Sequence, residues 1–361
     1  MNILIDASTI KSQGGINHIE SILKYLVNDE NNIFLLSNSF LNNKKILPNN
    51  IFVLNFPNSF IPRILNYIHI NNKIKKLVKE KQITKFISLS GLLRVKNVEN
   101  INFLHNLLPH DYNNLQSLRS KFLIKNLMLR FIQRNIFSKS EKFIFFSEES
   151  RKISKLKNKN YKIIPHFIDE KFYGRIKKQI KCSPINDEYT FAYPSDFFKY
   201  KQHKNLIQIF YKLLANNKKL KLILISNDLP NNSLKNLINK FQSNIEIIKF
   251  KKQDDLIKFY RKSIDFIINP SICESFGYIT YEALALGIPT FTSIQTVSKS
   301  ILPKYELTFN PLNIDESAKK INIYLQNPKQ RYENVLYAQN KIMKNLSIKN
   351  NRNNFINYIN S

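Results

Sequence analysis

Two glutamates and a glycine within residues 269–289 have a spacing that suits a phosphorylated sugar ligand. Glu274 lies in a polar loop after a predicted strand, Gly277 follows it, and Glu282 comes after seven intervening residues in a predicted helix. Open α/β sheets bind ligands at the carboxyl ends of their strands. A carboxylate accepts two hydrogen bonds, which neighbouring sugar hydroxyls can donate, and a helix start favours an anion such as a diphosphate. The alternative interpretation is that both glutamates only interact with the helix dipole.

The loop itself supplies further candidate ligand contacts. Gly277 lets a ligand approach the backbone closely because it has no side chain. We predict that the loop and the helix behind it bind the ligand together. The predicted binding residues are Glu274, Ser275, Phe276, Gly277, Tyr278 and Glu282.

These residues must be positioned by strands and helices that alternate along the chain. Such alternation favours parallel sheets covered by helices on both faces. Because the pattern occurs twice, we predict an α/β fold of two facing Rossmann-like domains. The predicted strands are 3–7, 33–36, 52–54, 86–89, 101–104, 143–146, 191–193, 220–225, 245–248, 266–268 and 290–292, and the longest predicted helices are 61–79 and 118–137.

The length of 361 residues fits two domains. The stretch from 165 to 188 is polar and charged and contains Gly174 and Pro184, as is typical of an interdomain linker. We predict an N-terminal domain over 1–175, a second domain over 176–340, and a C-terminal helix over 341–361 that packs back on the N-terminal domain.

The composition excludes several classes of protein. Hydrophobic residues make up 43% of the chain, enough for two cores, and no apolar run approaches the roughly 18 residues that span a bilayer. Asp6 interrupts the apolar run that a signal peptide requires, and Cys182 and Cys273 lack the spacing of a disulfide framework or metal site. We therefore expect a cytoplasmic protein. Asp254 and Asp255 are interpreted as the N-cap of a helix, and no metal is expected.

The segment around the two glutamates resembles a known family signature. Pro270-Ser271, then Glu274 and Glu282, then Gly287-x-Pro289 is similar to the donor site of family 4 (group 1) retaining glycosyltransferases, which have the GT-B fold. The resemblance implies a donor cleft between two domains. It also implies that Glu274 contacts the donor sugar and that Glu282 holds the ribose hydroxyls of the nucleotide.

Two N-terminal features extend the resemblance. Gly14 and Gly15, in a predicted loop after the first strand, resemble the family's glycine loop, which borders the donor phosphates and the acceptor. Alone, such a pair is typical of a tight turn. His105, after predicted strand 101–104, resembles a family histidine that hydrogen-bonds a donor-sugar hydroxyl, although a purely structural histidine is the alternative. No catalytic role is assigned to His166, where the family often has asparagine.

Lys201 completes the predicted catalytic set, which is Glu274, His105 and Lys201. It lies in a segment that matches the one whose lysine binds the donor diphosphate, where an ammonium would stabilise the leaving group. The family usually has an arginine five residues earlier, whereas this chain has Asp196, and Lys199 is the candidate substitute. The alternative is an ordinary surface lysine.

The resemblance implies a metal-independent retaining glycosyltransferase that needs no cofactor and uses a UDP-sugar or GDP-sugar as co-substrate. The implied acceptor is a hydroxyl of a glycan or lipid-linked molecule, in bacterial surface polysaccharide or lipopolysaccharide synthesis. The alternatives are an epimerase or glycan phosphorylase of the same fold, or an inactive homologue that binds nucleotide without transfer. A nucleic-acid-binding protein would suit the net charge of +30, but the lysines are scattered and no recognition motif accompanies them, so no nucleic-acid partner is expected.

Two basic stretches raise the question of a membrane partner. Basic residues flank apolar ones in 61–81 and again in 119–134. One interpretation is ordinary helices whose apolar sides face the core and whose outer faces are basic. The other is docking on an anionic membrane, at the inner face of the cytoplasmic membrane, where a lipid-linked acceptor would lie.

Overall fold

The computed structural model describes residues 1–8, 10, 13–26, 31–38, 51–56, 74–116, 120–157, 160–175, 188–216, 219–249, 253–296 and 299–361. They form two compact units, the first mainly Met1–Phe167 with Ile348–Ser361 and the second mainly Ile168–Ser347. The chain thus enters the second unit after Phe167, earlier than the sequence-based boundary at 175. Most of predicted helix 61–79 and Cys182 lie outside the described residues.

In the described part of the chain, the first unit contains a seven-stranded parallel sheet with the order β3-β2-β1-β4-β5-β6-β7. Its inner strands are buried almost without alternation, as expected for a parallel sheet with both faces covered. The strands are β1 (Asn2–Asp6), β2 (Asn32–Asn38), β3 (Ile51–Phe56), β4 (Lys85–Ser88), β5 (Glu99–Phe103), β6 (Lys142–Phe145) and β7 (Tyr161–Ile163).

The helices between these strands include the long helix predicted from periodicity. They are α1 (Gln13–Leu26), α2 (residues 74–80), α3 (Tyr112–Gln116), α4 (Ser120–Phe137) and α5 (Glu148–Ser154). The prediction of a loop at Gly14 and Gly15 is wrong, because both lie in the first turn of α1. Glycine is tolerated there because the first N–H groups of a helix have no intrahelical partner.

A buried carboxylate ties the end of β1 to the end of β4. Asp6 is fully buried and accepts hydrogen bonds from the hydroxyls of Ser8 (2.6 Å) and Ser90. A buried carboxylate requires such partners. The loops at the carboxyl ends of two adjacent strands are therefore held together.

The second unit, within its described residues, contains a six-stranded parallel sheet with the order β10-β9-β8-β11-β12-β13. The strands are β8 (Tyr189–Pro194), β9 (Leu220–Ile225), β10 (Ile245–Ile248), β11 (Phe266–Asn269), β12 (Thr290–Ser293) and β13 (Thr308–Phe309). The helices are α6 (His203–Asn216), α7 (Asn232–Asn239), α8 (Gln253–Ser263), α9 (Tyr278–Ala285), α10 (Ile314–Gln326) and α11 (Pro328–Asn345). Asp254 and Asp255 lie in the first turn of α8, past the cap position, where their charges still suit the helix dipole.

The last helix, α12 (Ile348–Asn360), belongs to the first unit. Its Arg352 Nε donates to the Tyr25 carbonyl at 3.0 Å, and its Phe355 ring packs 5.4 Å from the Tyr25 ring. The Tyr358 hydroxyl donates to the Asn160 carbonyl at 2.9 Å. The C-terminal residues therefore close the core of the unit in which the chain begins.

A buried arginine supports the centre of the second sheet. Arg331 Nη1, in α11, donates to the carbonyls of Tyr324 (2.8 Å) and Leu325 at the end of α10. Its guanidinium also lies 5.5 Å from the ring centroid of Phe266 in β11. The last carbonyls of a helix have no intrahelical partner and carry its negative dipole end. Arg331 thus links α10 and α11 to β11. This strand is followed by the loop of Glu274 and by α9, which contains Glu282.

We expect Arg331→Ala to lower the free energy of unfolding by about 3 kcal/mol, because it leaves two buried carbonyls unsatisfied and opens a cavity. Chemical denaturation monitored by circular dichroism measures this change. Lys329→Ala, at an exposed position of the same helix, is the matched control and should change stability by less than about 0.5 kcal/mol. Equal stability of the two variants would contradict the assigned role.

Candidate functional site

A buried series of polar side chains holds the loop that follows β11. Asn269 Nδ2 donates to Thr280 Oγ1 at 3.1 Å, and this oxygen lies 3.1 Å from Thr292 Oγ1. Thr292 Oγ1 in turn lies 3.1 Å from Thr296 Oγ1. All four residues are buried, so they satisfy one another rather than bonding to water. The network fixes the end of β11, the start of α9 and the end of β12 relative to one another.

Gly277 begins α9 in a backbone conformation that favours glycine. Its φ of 86° and ψ of 53° lie in the left-handed region, where a side chain costs about 1–2 kcal/mol. Space is not the constraint, because the nearest atom to an added Cβ, the carbonyl oxygen of Thr296, would be 3.6 Å away. The sharp turn into α9 therefore depends on glycine for its conformation.

The side chain of Phe276 anchors the loop from inside. It is buried, with its ring centroid 4.7 Å from that of Tyr281 and 5.1 Å from that of Tyr278. Although Phe276 is one of the predicted binding residues, its ring packs on α9. Ser275 and Tyr278, on either side, are partly exposed. Contacts to a ligand from this part of the loop would come from these neighbours and from the backbone.

Lys201 and Glu274 form the ion pair at the centre of the candidate site. Lys201 Nζ lies 2.5 Å from Glu274 Oε1, and the two side chains are 14% and 17% exposed. Lys201 ends a 3-10 turn after β8, and Glu274 lies in the loop after β11, the adjacent strand. Two residues identified separately in the sequence thus meet at the carboxyl edge of the sheet, where an ammonium can also bind an anion.

Backbone contacts hold Lys201 against the glutamate loop. The Tyr193 hydroxyl donates to the Lys201 carbonyl at 3.0 Å, and the Ile272 N–H donates to the Tyr200 carbonyl at 3.0 Å. The second bond joins the two segments that carry the ion pair. Tyr193 and Tyr200 were not among the predicted site residues. The only feature of the sequence that could have indicated them is their position on either side of the loop between β8 and Lys201.

A neutral histidine fixes the start of that loop. His203 Nε2 lies 3.2 Å from the Ser195 carbonyl, so we place the proton of the neutral ring on Nε2 as the donor. Burial lowers the pKa of His203 to about 3. Burial also raises the pKa of the Tyr200 phenol, and the negative charge of Glu274 raises it further. His203 and Tyr200 are therefore both uncharged at neutral pH.

Glu282 lies in α9, where burial and two charged neighbours set the pKa of its carboxyl. Burial raises the pKa of its carboxyl to about 7, the nearby Lys171 ammonium lowers it, and Asp169 raises it. The carboxyl therefore changes its charge near neutral pH. Its ionised form offers the two acceptors that a ribose diol requires.

Asp196 stands where the resemblance leads one to expect an arginine. Its Oδ1 accepts a hydrogen bond from the Ser226 hydroxyl at 3.1 Å, which joins the loops after β8 and β9. The Ser226 hydroxyl oxygen also accepts from the Asp228 N–H at 3.0 Å. The aspartate is exposed, as is Lys199, the candidate substitute cation. Asp196 therefore has a structural role that an arginine could not perform in the same way.

The remaining predicted residues lie in the first unit. Gly14 and Gly15 are in the first turn of α1, and His105 follows β5. The His105 ring is parallel to that of His18 in α1, with centroids 5.2 Å apart, and His18 also lies 4.4 Å from the His166 ring. Three histidines thus meet where α1, the end of β5 and the segment after β7 come together.

Burial keeps these imidazoles neutral. It lowers the pKa of His105 to about 4 and holds the pKa values of His18 and His166 well below 6.5, and the charges of its histidine neighbours lower that of His18 further. His105 is partly exposed, so its neutral ring can exchange a hydrogen bond with a hydroxyl. Sequence reasoning missed His18. Its one signal is its place on the buried face of α1, where Ile22 follows one turn later.

The described residues have neither a cluster that could bind a metal ion nor a helix that could span a membrane. No three histidine, cysteine, aspartate or glutamate side chains there converge in a way that could hold a metal ion. No helix in the same residues has the length and apolar character needed to cross a membrane.

Residues 175–341 match the family model described as glycosyl transferases group 1. This range contains Lys201, Asp196, Glu274 and Glu282, and therefore the whole ion-pair site of the second unit. No curated protein sequence shows significant similarity to the chain.

Solved structures share the fold over nearly the whole chain. Sucrose-phosphate synthase from Thermosynechococcus elongatus is 15% identical with a TM-score of 0.77, covering 100% of this chain and 98% of its own. WaaG, a glycosyltransferase involved in lipopolysaccharide biosynthesis, is 12% identical with a TM-score of 0.72, covering 94% and 95%. HepE of Anabaena, in complex with UDP and glucose, is 14% identical with a TM-score of 0.73, covering 100% and 99%.

At these identities the structural likeness shows the fold, which is GT-B. The part of the chain that carries the Lys201–Glu274 pair, residues 175–341, is thus similar to the group 1 glycosyl transferases.

Proposed function

We propose that the chain moves a sugar from a nucleoside-diphosphate sugar to a hydroxyl of a glycan or lipid-linked acceptor, with retention at the anomeric carbon. The observation that carries this proposal is the Lys201–Glu274 pair in the loops after β8 and β11. The Lys201 ammonium can exchange Glu274 for a phosphate oxygen, and the N-terminus of α9 favours an anion. Both features favour the binding of a diphosphate. The family match over 175–341 supports the same chemistry.

In this proposal the ion pair is an exchangeable contact. When the diphosphate binds, Lys201 turns from Glu274 to the phosphate oxygens, and the Glu274 carboxylate becomes available to sugar hydroxyls. Glu282 accepts hydrogen bonds from the ribose. Gly14, Gly15 and His105 keep the roles implied by the resemblance, and the neutral ring of His105 suits a hydrogen bond to a hydroxyl.

The leaving diphosphate is the group that most needs stabilisation in this reaction. The bond between the anomeric carbon and the phosphate oxygen breaks, and the bond to the acceptor oxygen forms on the same face. The acceptor proton passes to a phosphate oxygen. Lys201 stabilises the charge that develops on the departing diphosphate. We expect neither a cofactor nor a metal ion to be needed.

The donor nucleotide is UDP or GDP. HepE, which shares the fold, was solved with UDP and glucose, and this supports testing UDP-sugars first. WaaG acts in lipopolysaccharide biosynthesis, and this supports a role in bacterial surface polysaccharide or lipopolysaccharide synthesis at the cytoplasmic side of the membrane.

Asp196 favours a second candidate function, in which the protein binds a nucleotide sugar without transferring it. A carboxylate replaces the arginine of the family, and its negative charge helps to raise the pKa of Tyr200, next to Lys201. Such a charge opposes the binding of phosphate. Binding of the donor without release of nucleoside diphosphate would support this second candidate.

The proposed function is tested first by thermal unfolding with UDP, GDP, their common sugar conjugates and a short oligonucleotide, without added metal. We expect one nucleotide family to stabilise the chain by about 2.7 kcal/mol at 100 times its dissociation constant. The oligonucleotide should have no effect. A shift with the oligonucleotide alone would contradict the proposal and favour nucleic-acid binding.

Substitutions of the two charged partners should have opposite effects on nucleotide binding. We expect Lys201→Met to weaken binding of the nucleoside diphosphate by about 10- to 100-fold, because a charged hydrogen bond is lost. Glu274→Gln should bind it at least as tightly as the wild type, because the competing carboxylate is gone, yet release no nucleoside diphosphate from the sugar donor. Isothermal titration and a nucleotide-release assay measure the two effects.

The control for both substitutions is Lys204→Met, an exposed lysine in the first turn of α6, which should leave nucleotide binding unchanged. Turnover at the wild-type rate in Glu274→Gln would overturn the site assignment. An equal loss of affinity in Lys204→Met and Lys201→Met would show that general positive charge, rather than the ion pair, attracts the nucleotide.

Glu282 should make stability and nucleotide binding depend on pH in opposite directions. Because burial raises the pKa of the folded carboxyl from 4.5 to about 7, the folded chain holds this proton more tightly than the unfolded chain. Stability should therefore fall by about 1.4 kcal/mol per unit as the pH rises between these values, and then level off. Nucleotide affinity should rise over about pH 6 to 8 as the carboxylate forms. Glu282→Gln should remove both contributions, and unchanged profiles would contradict the assignment.

A further inference from the structure

Helix α4 (Ser120–Phe137) buries two polar side chains and exposes several large apolar ones, while Ile136 and Phe137 at its C-terminal end are buried. A helix on the surface of a protein normally turns an apolar stripe to the core and a polar face to water. In α4, Asn126 and Gln133 are buried, whereas large apolar side chains are exposed. This contradicts the interpretation of an apolar core-facing side with a basic outer face.

Specific hydrogen bonds keep the polar side inward. Gln133 Oε1 lies 3.1 Å from His110 Nε2, and Gln133 Nε2 donates to the Ser90 carbonyl at 3.0 Å. Asn126 Nδ2 donates to the Phe122 carbonyl at 2.8 Å, a bond within α4 that satisfies the buried amide but does not orient the helix. Rotating the helix to bury its apolar face would break the bonds of Gln133 and leave buried polar groups unsatisfied. The outward apolar face is therefore built into the fold.

The exposed apolar residues form one continuous stripe. Ile124, Leu127, Met128 and Phe131 are 59%, 44%, 48% and 78% exposed, and their spacing of three, four and seven residues places them on one side of the helix. Phe122 and Ile132 are also exposed. An apolar patch of this kind, rimmed by polar residues, marks an interaction surface.

The exposed Lys125 and the partly exposed Arg130 and Arg134 lie beside the stripe. The sequence of α4 contains Lys121, Lys125, Arg130 and Arg134 but no aspartate or glutamate. Arg130 and Arg134 lie one turn apart, and the charge of Arg130, after burial, helps to lower the pKa of Arg134. Neither arginine has a carboxylate partner among the residues that the structure describes; Arg134 Nη2 donates to the Ser154 carbonyl at 3.1 Å, and the Arg130 guanidinium lies 5.9 Å from the Tyr112 ring centroid. The surface combines apolar area with unneutralised cations.

We infer that α4 lies flat on an anionic bilayer, with its apolar stripe inserted among the acyl chains and its cations on lipid phosphates. Interfacial helices combine an apolar face with lysine and arginine in this way. A second copy of the chain suits the surface less well, because a two-fold contact through α4 would bring the cations of both copies together without acidic partners. The net charge of +30 acts in the same direction.

This inference rests on the proposed function only in that a lipid-linked acceptor would give the docking a purpose. The surface itself is defined by the burial, hydrogen bonds and charges of α4. Vesicle binding can therefore be measured without donor, acceptor or turnover, and the two proposals can fail separately.

The chain contains no tryptophan, so a single substitution provides a reporter of insertion. We expect the fluorescence of Phe131→Trp to shift to the blue and become protected from acrylamide when vesicles of phosphatidylcholine with phosphatidylglycerol are added. Ile323→Trp, on α10, should not change. Vesicles of phosphatidylcholine alone should give a much smaller effect. An unchanged Phe131→Trp spectrum on vesicles that sediment the protein would overturn insertion and leave only surface electrostatics.

A matched pair of isoleucines tests the stripe directly. Ile124 in α4 is 59% exposed and Ile323 in α10 is 60% exposed, so aspartate at either position should be tolerated by the fold. We expect Ile124→Asp to lower partitioning onto anionic vesicles by about tenfold or more, and Lys125→Gln to lower it by about fivefold. Ile323→Asp should bind as the wild type does. Both isoleucine variants should keep the nucleotide-induced thermal shift.

Two outcomes would overturn the inference. Equal vesicle binding by Ile124→Asp and Ile323→Asp would show that the stripe is not the docking surface. Concentration-dependent dimerisation without vesicles, abolished by Ile124→Asp but not by Ile323→Asp in analytical ultracentrifugation, would identify a second copy of the chain as the occupant.

Discussion

The proximity of Lys201 and Glu274 is the constraint on which the second unit depends. Their partly buried charges gain little net stability from pairing, because removing both from water offsets much of their attraction. Several features of the fold nevertheless hold the two residues together. β8 and β11 are adjacent, the Ile272 N–H bonds the Tyr200 carbonyl across the two loops, and Arg331 packs on β11 from behind. An arrangement so supported, yet weakly stabilising, is better explained by ligand binding than by folding.

The second unit contains ionisable groups whose pKa values are set by their surroundings. Burial brings the pKa of Glu282 to about 7 and holds that of His203 near 3. A carboxyl that changes its charge near neutral pH and a neutral ring thus occur in the same unit as the Lys201–Glu274 pair. This diversity follows from burial and neighbouring charges rather than from residue type.

Sequence reasoning predicted the sheets well and the convergence of side chains only in part. Strands such as β9 and β11 are short buried runs between helices, and such local patterns persist in the fold. The loop at Gly14 and Gly15 was predicted wrongly because glycine is a weak guide within the first turn of a helix. The meeting of His18 with His166 was missed because no local pattern encodes a contact between residues so distant in the sequence. Family resemblance, not periodicity, indicated that Lys201 and Glu274 belong together.

Helix α4 shows why amphipathic periodicity alone does not fix which face is buried. Its apolar residues recur with helical spacing, so the sequence is equally compatible with burying them or exposing them. Tertiary contacts determine which face is buried, because Gln133 forms hydrogen bonds with His110 and with the Ser90 carbonyl on the inner side. A polar side chain satisfied twice in the interior can outweigh the gain from burying a few apolar groups, because breaking its bonds leaves several groups unpaired. The apolar stripe then remains outside as a consequence of the bonds of Gln133, where it forms the kind of exposed apolar patch that marks an interaction surface.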